Sequence, residues 1–161
     1  MENTNKPDIV VILNNVRSNE NVGSIFRTCD AVEVSKMFLV GITPAPTDRF
    51  NRINKGLVKA SLGAEKFVEY EKVLNLKEAI QQLKEEGYKI IGVEQSKNSI
   101  DYKLLSKDYN LALVFGNEVG GLSKEDLEIC DEVIEISMYG HKESLNVAVA
   151  VGVILFSIPH P

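Results

Sequence analysis

The chain has 161 residues, 44% hydrophobic and 25% charged, a composition from which one globular domain with a continuous core, 1–161, and no separate second domain are expected. A formal net charge of −5 argues against a protein that holds nucleic acid indiscriminately over its whole surface, though not against a local basic patch. The longest apolar stretches, Ile9 to Leu13 and Val147 to Phe156, are too short to span a bilayer, and the polar start from Met1 to Lys6 has no signal-peptide core, so a cytoplasmic location away from membranes is expected.

Ile9-Val10-Val11-Ile12-Leu13 reads as a buried strand, and Val22, Ile25, Cys29 and Val32 then recur at helical spacing. Between them Asn21 is placed to cap the helix. Arg27 lies four residues after Gly23, so its guanidinium projects on the side of a position with no side chain, which leaves space for a ligand. An arginine stays charged at any working pH and presents a planar fork of donors, suited to a phosphate or a developing oxyanion.

Lys36 to Val40 is the next strand. The polar connection from Gly41 to Asn54 contains Pro44 and Pro46 and is long enough to suggest a function. Arg49, Arg52, Lys55 and Lys59 fall within eleven residues here and form a candidate basic patch. Lys66 to Glu71 alternates weakly as a short strand. Asn75 to Glu86 has the spacing of an amphipathic helix, with Leu76, Ala79, Ile80 and Leu83 apolar and Gly87 as its stop.

Tyr88 to Val93 and Leu111 to Phe115 read as strands, and the second runs into Gly116-Asn117-Glu118-Val119-Gly120-Gly121. That loop is not a nucleotide-binding P-loop, because Leu122-Ser123 stands where Lys-Ser/Thr is required. No Gly-x-Gly-x-x-Gly follows the first strand either, so a dinucleotide fold is unsupported. What remains is a strand end with exposed amides and a carboxylate, Glu118, able to accept from a hydroxyl, a base or Arg27. Ser123 to Cys130 reads as a short helix with Ser123 and Asp126 in capping positions, and Val133 to Ile136 as the last strand.

Ser144 is placed to cap a closing helix, with Asn146 pointing from its first turn, where free amides favour a polar or anionic partner. Strands alternating with helices predict an α/β fold, a mostly parallel sheet with helices on both faces. Three polar and glycine-containing loops at strand ends suggest one ligand site. Cys29 and Cys130 sit in apolar contexts without metal-ligand spacing and read as buried free thiols, with no metal site expected. His141 and His160 read as a loop and a tail residue.

Three segments together resemble the signature motifs of the SpoU/TrmH family in the SPOUT superfamily of knotted methyltransferases. They are Asn21 to Arg27 with Thr28-Cys29-Asp30-Ala31, Phe115-Gly116-Asn117-Glu118 with Gly121-Leu122, and Ile136-x-Met138-x-Gly140 with Ser144-Leu145-Asn146-Val147-Ala148-Val149-Ala150. Ser61-Leu62-Gly63-Ala64 and Gly92-Val93-Glu94-Gln95 are family-like as well. The resemblance implies a C-terminal trefoil knot that binds S-adenosylmethionine, with S-adenosylhomocysteine as product, a homodimer with the site near the subunit interface, and methylation of an RNA ribose 2′-hydroxyl.

Carried over residue by residue, it implies that Arg27 assists the ribose hydroxyl and that Asn21, Glu118, Ser144 and Asn146 surround the reacting group. Val93, Glu94, Phe115, Gly116, Ile136, Met138 and Leu145 then match the cofactor pocket. Larger family members carry a separate RNA-binding domain that this chain is expected to lack, so Arg49, Arg52, Lys55 and Lys59 are the candidates for phosphate contacts. The expected substrate is tRNA, with rRNA next, and an accessory protein that delivers the RNA is left open. Base methylation on the same fold, or a catalytically inactive RNA-binding or assembly factor, are the alternatives.

Overall fold

The computed structural model describes residues 6–159; His160, expected in the tail, lies outside them. Seven strands form one sheet: β1 (Ile9–Asn14), β2 (Lys36–Val40), β3 (Tyr70–Val73), β4 (Lys89–Val93), β5 (Ile100–Asp101), β6 (Leu111–Phe115) and β7 (Glu132–Glu135). Their order is β3-β2-β1-β6-β4-β7-β5 and every pairing is parallel. All six residues of β1 and all five of β6 are buried, as expected for central strands covered on both faces.

The two faces of β1 can be read off its alternation. Ile9, Val11 and Leu13 join α1 (Asn19–Ala31), α2 (Lys55–Ser61) and α5 (Val147–Ser157) through Ile25, Phe26, Leu57, Val151 and Ile154. Val10 and Ile12 join α3 (Leu76–Glu85) through Leu76, Ala79, Ile80 and Leu83, with Leu127 of α4 (Lys124–Glu128) packed against the same cluster. Helices therefore cover both faces. A parallel sheet also sends the loops after β4, β6 and β7 to a common edge, which positions the site.

Several local expectations are corrected. Ser18, not Asn21, caps α1, its hydroxyl accepting from the Asn21 backbone N–H at 3.1 Å. Asn146, not Ser144, caps α5, because its Oδ1 accepts from the N–H groups of Ala148 at 2.8 Å and Val149 at 3.3 Å. Residues 66–71 do not form one strand: Ala64–Lys66 is a 3-10 turn and pairing begins at Tyr70, opposite Met37. Lys55 and Lys59 lie on α2, a helix with no amphipathic run long enough to announce it; Asn54 caps it and Leu57 buries it.

The space expected above Gly23 is filled by the protein itself. A Cβ built there would lie 2.5 Å from the Leu57 carbonyl oxygen, 2.6 Å from the Ala60 Cβ and 2.9 Å from the Ser61 nitrogen. Gly23 is thus the point where α1 and α2 touch backbone to backbone, and no ligand fits. In an exposed helix, Gly→Ala stabilises by about 1 kcal/mol. Here Gly23→Ala is expected to destabilise by about 1–3 kcal/mol through overpacking, lowering Tm by roughly 2–4 °C per kcal/mol; a melt showing equal or greater stability would refute the contact.

Candidate functional site

A cavity of about 540 Å³ opens at the carboxyl ends of β4, β6 and β7, the edge where open α/β sheets hold ligands. It is lined by Val93, Glu94, Phe115, Gly116, Ile136, Met138 and Leu145, so the structure gathers all seven residues matched to a cofactor pocket. Glu118, Ser144 and Asn146 line it too.

The loop after β6 is held by its own groups. The Asn117 Oδ1 accepts from the N–H groups of Val119 at 2.9 Å and Gly120 at 2.6 Å, and the chain folds back so closely that a Cβ on Gly116 would strike Gly121. Glu94, at the end of β4, braces this turn: its carboxylate accepts from Leu122 N–H at 3.0 Å and Gln95 N–H at 2.9 Å. The Gln95 side chain donates to the Glu143 carbonyl at 2.6 Å and so ties in the segment before α5.

The three motifs meet in one directed run of hydrogen bonds. Because the Asn146 Oδ1 is committed to capping α5, its Nδ2 donates to the Asn21 Oδ1 at 3.1 Å, and the Asn21 Nδ2 in turn donates to Glu118 at 3.2 Å. The same carboxylate accepts from the N–H groups of Arg17 and Ser18, each at 3.1 Å. Burial by itself pushes the pKa of the Glu118 carboxyl up, but the Arg17, own and Ser18 N–H groups and the Asn21 amide outweigh it and hold the group below its usual value. Glu118 is thus an ionised anchor.

Arg27 is not at this cavity. It is exposed, lies on α1 six residues beyond Asn21, and its side chain makes no hydrogen bond or ion pair among the described residues. Glu118 therefore accepts from backbone and Asn21, not from Arg27 within one chain. Ser144 stays in the loop as an exposed cavity residue. Residues 17, 18 and 95 were missed as site residues. Their contributions are mainly backbone N–H groups and a carboxamide bridge, for which side-chain patterns give little signal.

Charge separates the surface into two regions. Every ionisable side chain lining the cavity is a carboxylate, from Glu94, Glu118, Glu135 and Glu143. Such a lining repels polyphosphates and suits a ligand with net positive charge. Arg49, Arg52, Lys55 and Lys59 are all exposed on the segment after β2, with the Arg52 Nε 2.7 Å from Asp48. Cys29 is a buried free thiol and Cys130 a half-buried one; burial raises both, Cys130 to about 11. No helix among the described residues is long and apolar enough to cross a membrane.

Residues 8–156 match the model of the family described as the SpoU rRNA Methylase family. A tRNA (guanosine(18)-2'-O)-methyltransferase from Aquifex aeolicus is 36% identical over 149 residues, covering 92% of this chain and 67% of that protein. The chain spans 57% of other curated relatives that it matches. The solved A. aeolicus TrmH/SpoU tRNA modifying enzyme is similar at TM-score 0.80 and 36% identity, over 95% of this chain and 74% of that one. The AdoMet-bound rRNA methyltransferase from Sinorhizobium meliloti is similar at TM-score 0.86 and 28% identity, over 95% and 56%.

The Glu118 anchor has a pH signature. A carboxyl lowered by folding contributes stability that is full above its unfolded pKa, about 4.3, and is lost as pH falls through the lower folded value. The Arg17 and Ser18 amide resonances are therefore expected to stay constant down to the ordinary carboxylate range and to shift together below it. In Glu118→Gln this titration should vanish; a midpoint at or above the ordinary value would mean that burial, not hydrogen bonding, dominates.

Proposed function

The chain belongs to the SpoU rRNA Methylase family, and from that membership and the cavity we propose that it is an S-adenosylmethionine-dependent methyltransferase acting on a ribose 2′-hydroxyl of RNA, tRNA first and rRNA next. The observation that carries the reading is the all-carboxylate cavity rimmed by the Glu118–Asn21–Asn146 bonds.

The cavity fits the cofactor on its own chemistry. At about 540 Å³ it has the size of a small-molecule site. Val93, Ile136, Met138, Leu145 and Val147 supply apolar walls for a planar base, while four carboxylates and no basic group suit a sulfonium and an ammonium. When bound, the cofactor supplies a methyl group already activated by the positive sulfur and leaves as S-adenosylhomocysteine.

The protein's task is then alignment and proton removal at a poor nucleophile. Glu118, Asn21 and Asn146 hold the loops after β1, β6 and β7 in register at the reacting end of the cavity. A guanidinium is a poor proton acceptor, so Arg27 acts as an electrostatic clamp on the developing alkoxide and the adjacent RNA phosphate, and that phosphate or a water takes the proton. Since Arg27 lies outside its own cavity, the reading includes a homodimer in which it serves the partner's site. Support comes from α5, which carries no charged residue and leaves Val149 and Phe156 exposed on its outer face. The threaded C-terminal knot belongs to the same proposal, supported by α5 packing back on α1 after β7 has joined the sheet beyond β4.

The displacement of Arg27 also favours the second reading, a catalytically inactive RNA-binding or assembly factor. Calorimetry with S-adenosylmethionine, together with transfer of labelled methyl to RNA and nucleoside mass spectrometry, decides between them. Arg27→Ala is expected to keep cofactor affinity and lose about 100-fold or more in turnover; equal loss of both would mark Arg27 as structural. RNA affinity should fall steeply with salt, and Arg49→Glu with Lys55→Glu should flatten that slope by roughly 0.7–0.9 per lost phosphate contact. A salt-insensitive affinity would remove the patch from the binding surface.

A further inference from the structure

Within the basic segment an aromatic ring stands in the open. Phe50 is 64% exposed, and the guanidinium carbons of Arg49 and Arg52 lie 4.8 and 5.1 Å from its ring centroid. A phenylalanine has no polar atom to reward exposure to water, and two exposed cation–π contacts, each contributing about 0.5–1 kcal/mol, offset only part of what burying the ring would contribute.

The ring is nevertheless held in a built turn. The Asp48 carboxylate accepts from the backbone N–H groups of Phe50 at 2.8 Å and Arg52 at 3.0 Å and from the Arg52 Nε at 2.7 Å. The Asp48 N–H donates to the Arg52 carbonyl at 3.0 Å, Asn51 turns the chain with φ 57°, and Thr47 bridges Ile53 across the base of the turn. Much of the ordering cost of presenting the ring is thus met before any partner arrives. The turn is also tied to the catalytic edge: the Asn54 Nδ2 donates to the Asn19 Oδ1 at 2.7 Å, and Asn19 opens the helix that carries Asn21.

We propose that Phe50, flanked by Arg49 and Arg52, is a stacking platform for an unpaired base of the RNA substrate. The inference rests on the RNA reading above and specifies it: the RNA presents a single-stranded nucleotide to this turn, not a continuous duplex. An aromatic face accepts any base, an arginine plane extends the stack, and the two cations meet the phosphates on either side. An apolar protein partner is disfavoured by the same geometry, because burying the ring would carry two guanidinium groups out of water with one carboxylate, Asp48, between them.

The test measures fluorescence anisotropy of the full chain with a labelled oligoadenylate single strand and with an RNA duplex of equal length. Phe50→Ala is expected to weaken the single strand about 10-fold, the effect of losing one base stack, with an unchanged salt slope, and Phe50→Trp to restore it. Arg49→Glu should instead reduce the slope. The proposal is overturned if the wild-type chain does not bind the single strand, if Phe50→Ala is neutral, or if it weakens strand and duplex equally. It also falls if sedimentation shows that Phe50→Ala changes the oligomeric state, which makes the ring a contact between copies. Methyl transfer separates this inference from the enzyme reading. A wild-type enzyme whose KM for RNA is unaffected by Phe50→Ala overturns the platform alone, whereas the expected binding pattern without methyl transfer overturns the enzyme reading alone.

Discussion

Asparagine at a helix start does more here than cap the helix. An Asn side chain has an acceptor and two donors, so when Oδ1 satisfies the free amides of the first turn, Nδ2 is left pointing outward. The chain uses this twice against the same helix. Asn146 caps α5 and donates to Asn21, while Asn54 caps α2 and donates to Asn19. Serine or aspartate can cap equally well, but an aspartate has no proton to give and a serine is too short to span to a neighbouring helix. Both α2 and α5 are therefore fixed to the first turn of α1 by bonds that only a carboxamide supplies. Glu118 closes the arrangement from the far side, accepting from the Asn21 Nδ2 together with two backbone N–H groups.

This arrangement needs the sheet beneath it. Parallel strands deliver successive loops to one edge, and the central position of β6 between β1 and β4 brings Glu118 beside the start of α1. Close approach is then required twice. Gly23 lets α2 lie on α1 without an intervening side chain, and Gly116 lets the loop after β6 fold onto Gly121. The glycines are packing elements, and the first of them explains why the space inferred above it is closed.

The elements legible in the sequence were those with strong periodicity or strong capping chemistry. The apolar runs of β1 and β6, the amphipathic α3 ending at Gly87, and the Ser123–Asp126 capping box of α4 are local signals and appear where expected. The Lys66 to Glu71 segment misled because β3 is an edge strand whose alternation is shared with a 3-10 turn. Asn21 and Ser144 were assigned to capping because each has a suitable side chain, yet the competing caps, Ser18 and Asn146, prevail through geometry that local composition cannot rank. The residues matched to the cofactor pocket gather at one cavity because they sit on strand ends and the segment before α5. Arg27 does not, since its place was inferred from one helix and the packing of α2 closes that side.

The two charge regions bear on what the net charge left open. On the proposed reading, a chain of charge −5 must keep its acidic groups from repelling an RNA phosphate backbone, and two of the four carboxylates that line the cavity, Glu94 and Glu118, are engaged by hydrogen-bond donors. Glu118 is covered by three donors, and Glu94 accepts two backbone N–H groups, so both present less negative field to an approaching strand than free carboxylates would. The exposed cations after β2 stand on the same edge and on that reading would offer the phosphates a favourable landing. On that reading a small positively charged ligand would enter the acidic cavity while a polyanion stays outside its mouth, with the ribose as the only part of the RNA that must reach in. On the proposed reading, the separation of charge, more than the total, is what would let one acidic chain serve two partners of opposite sign.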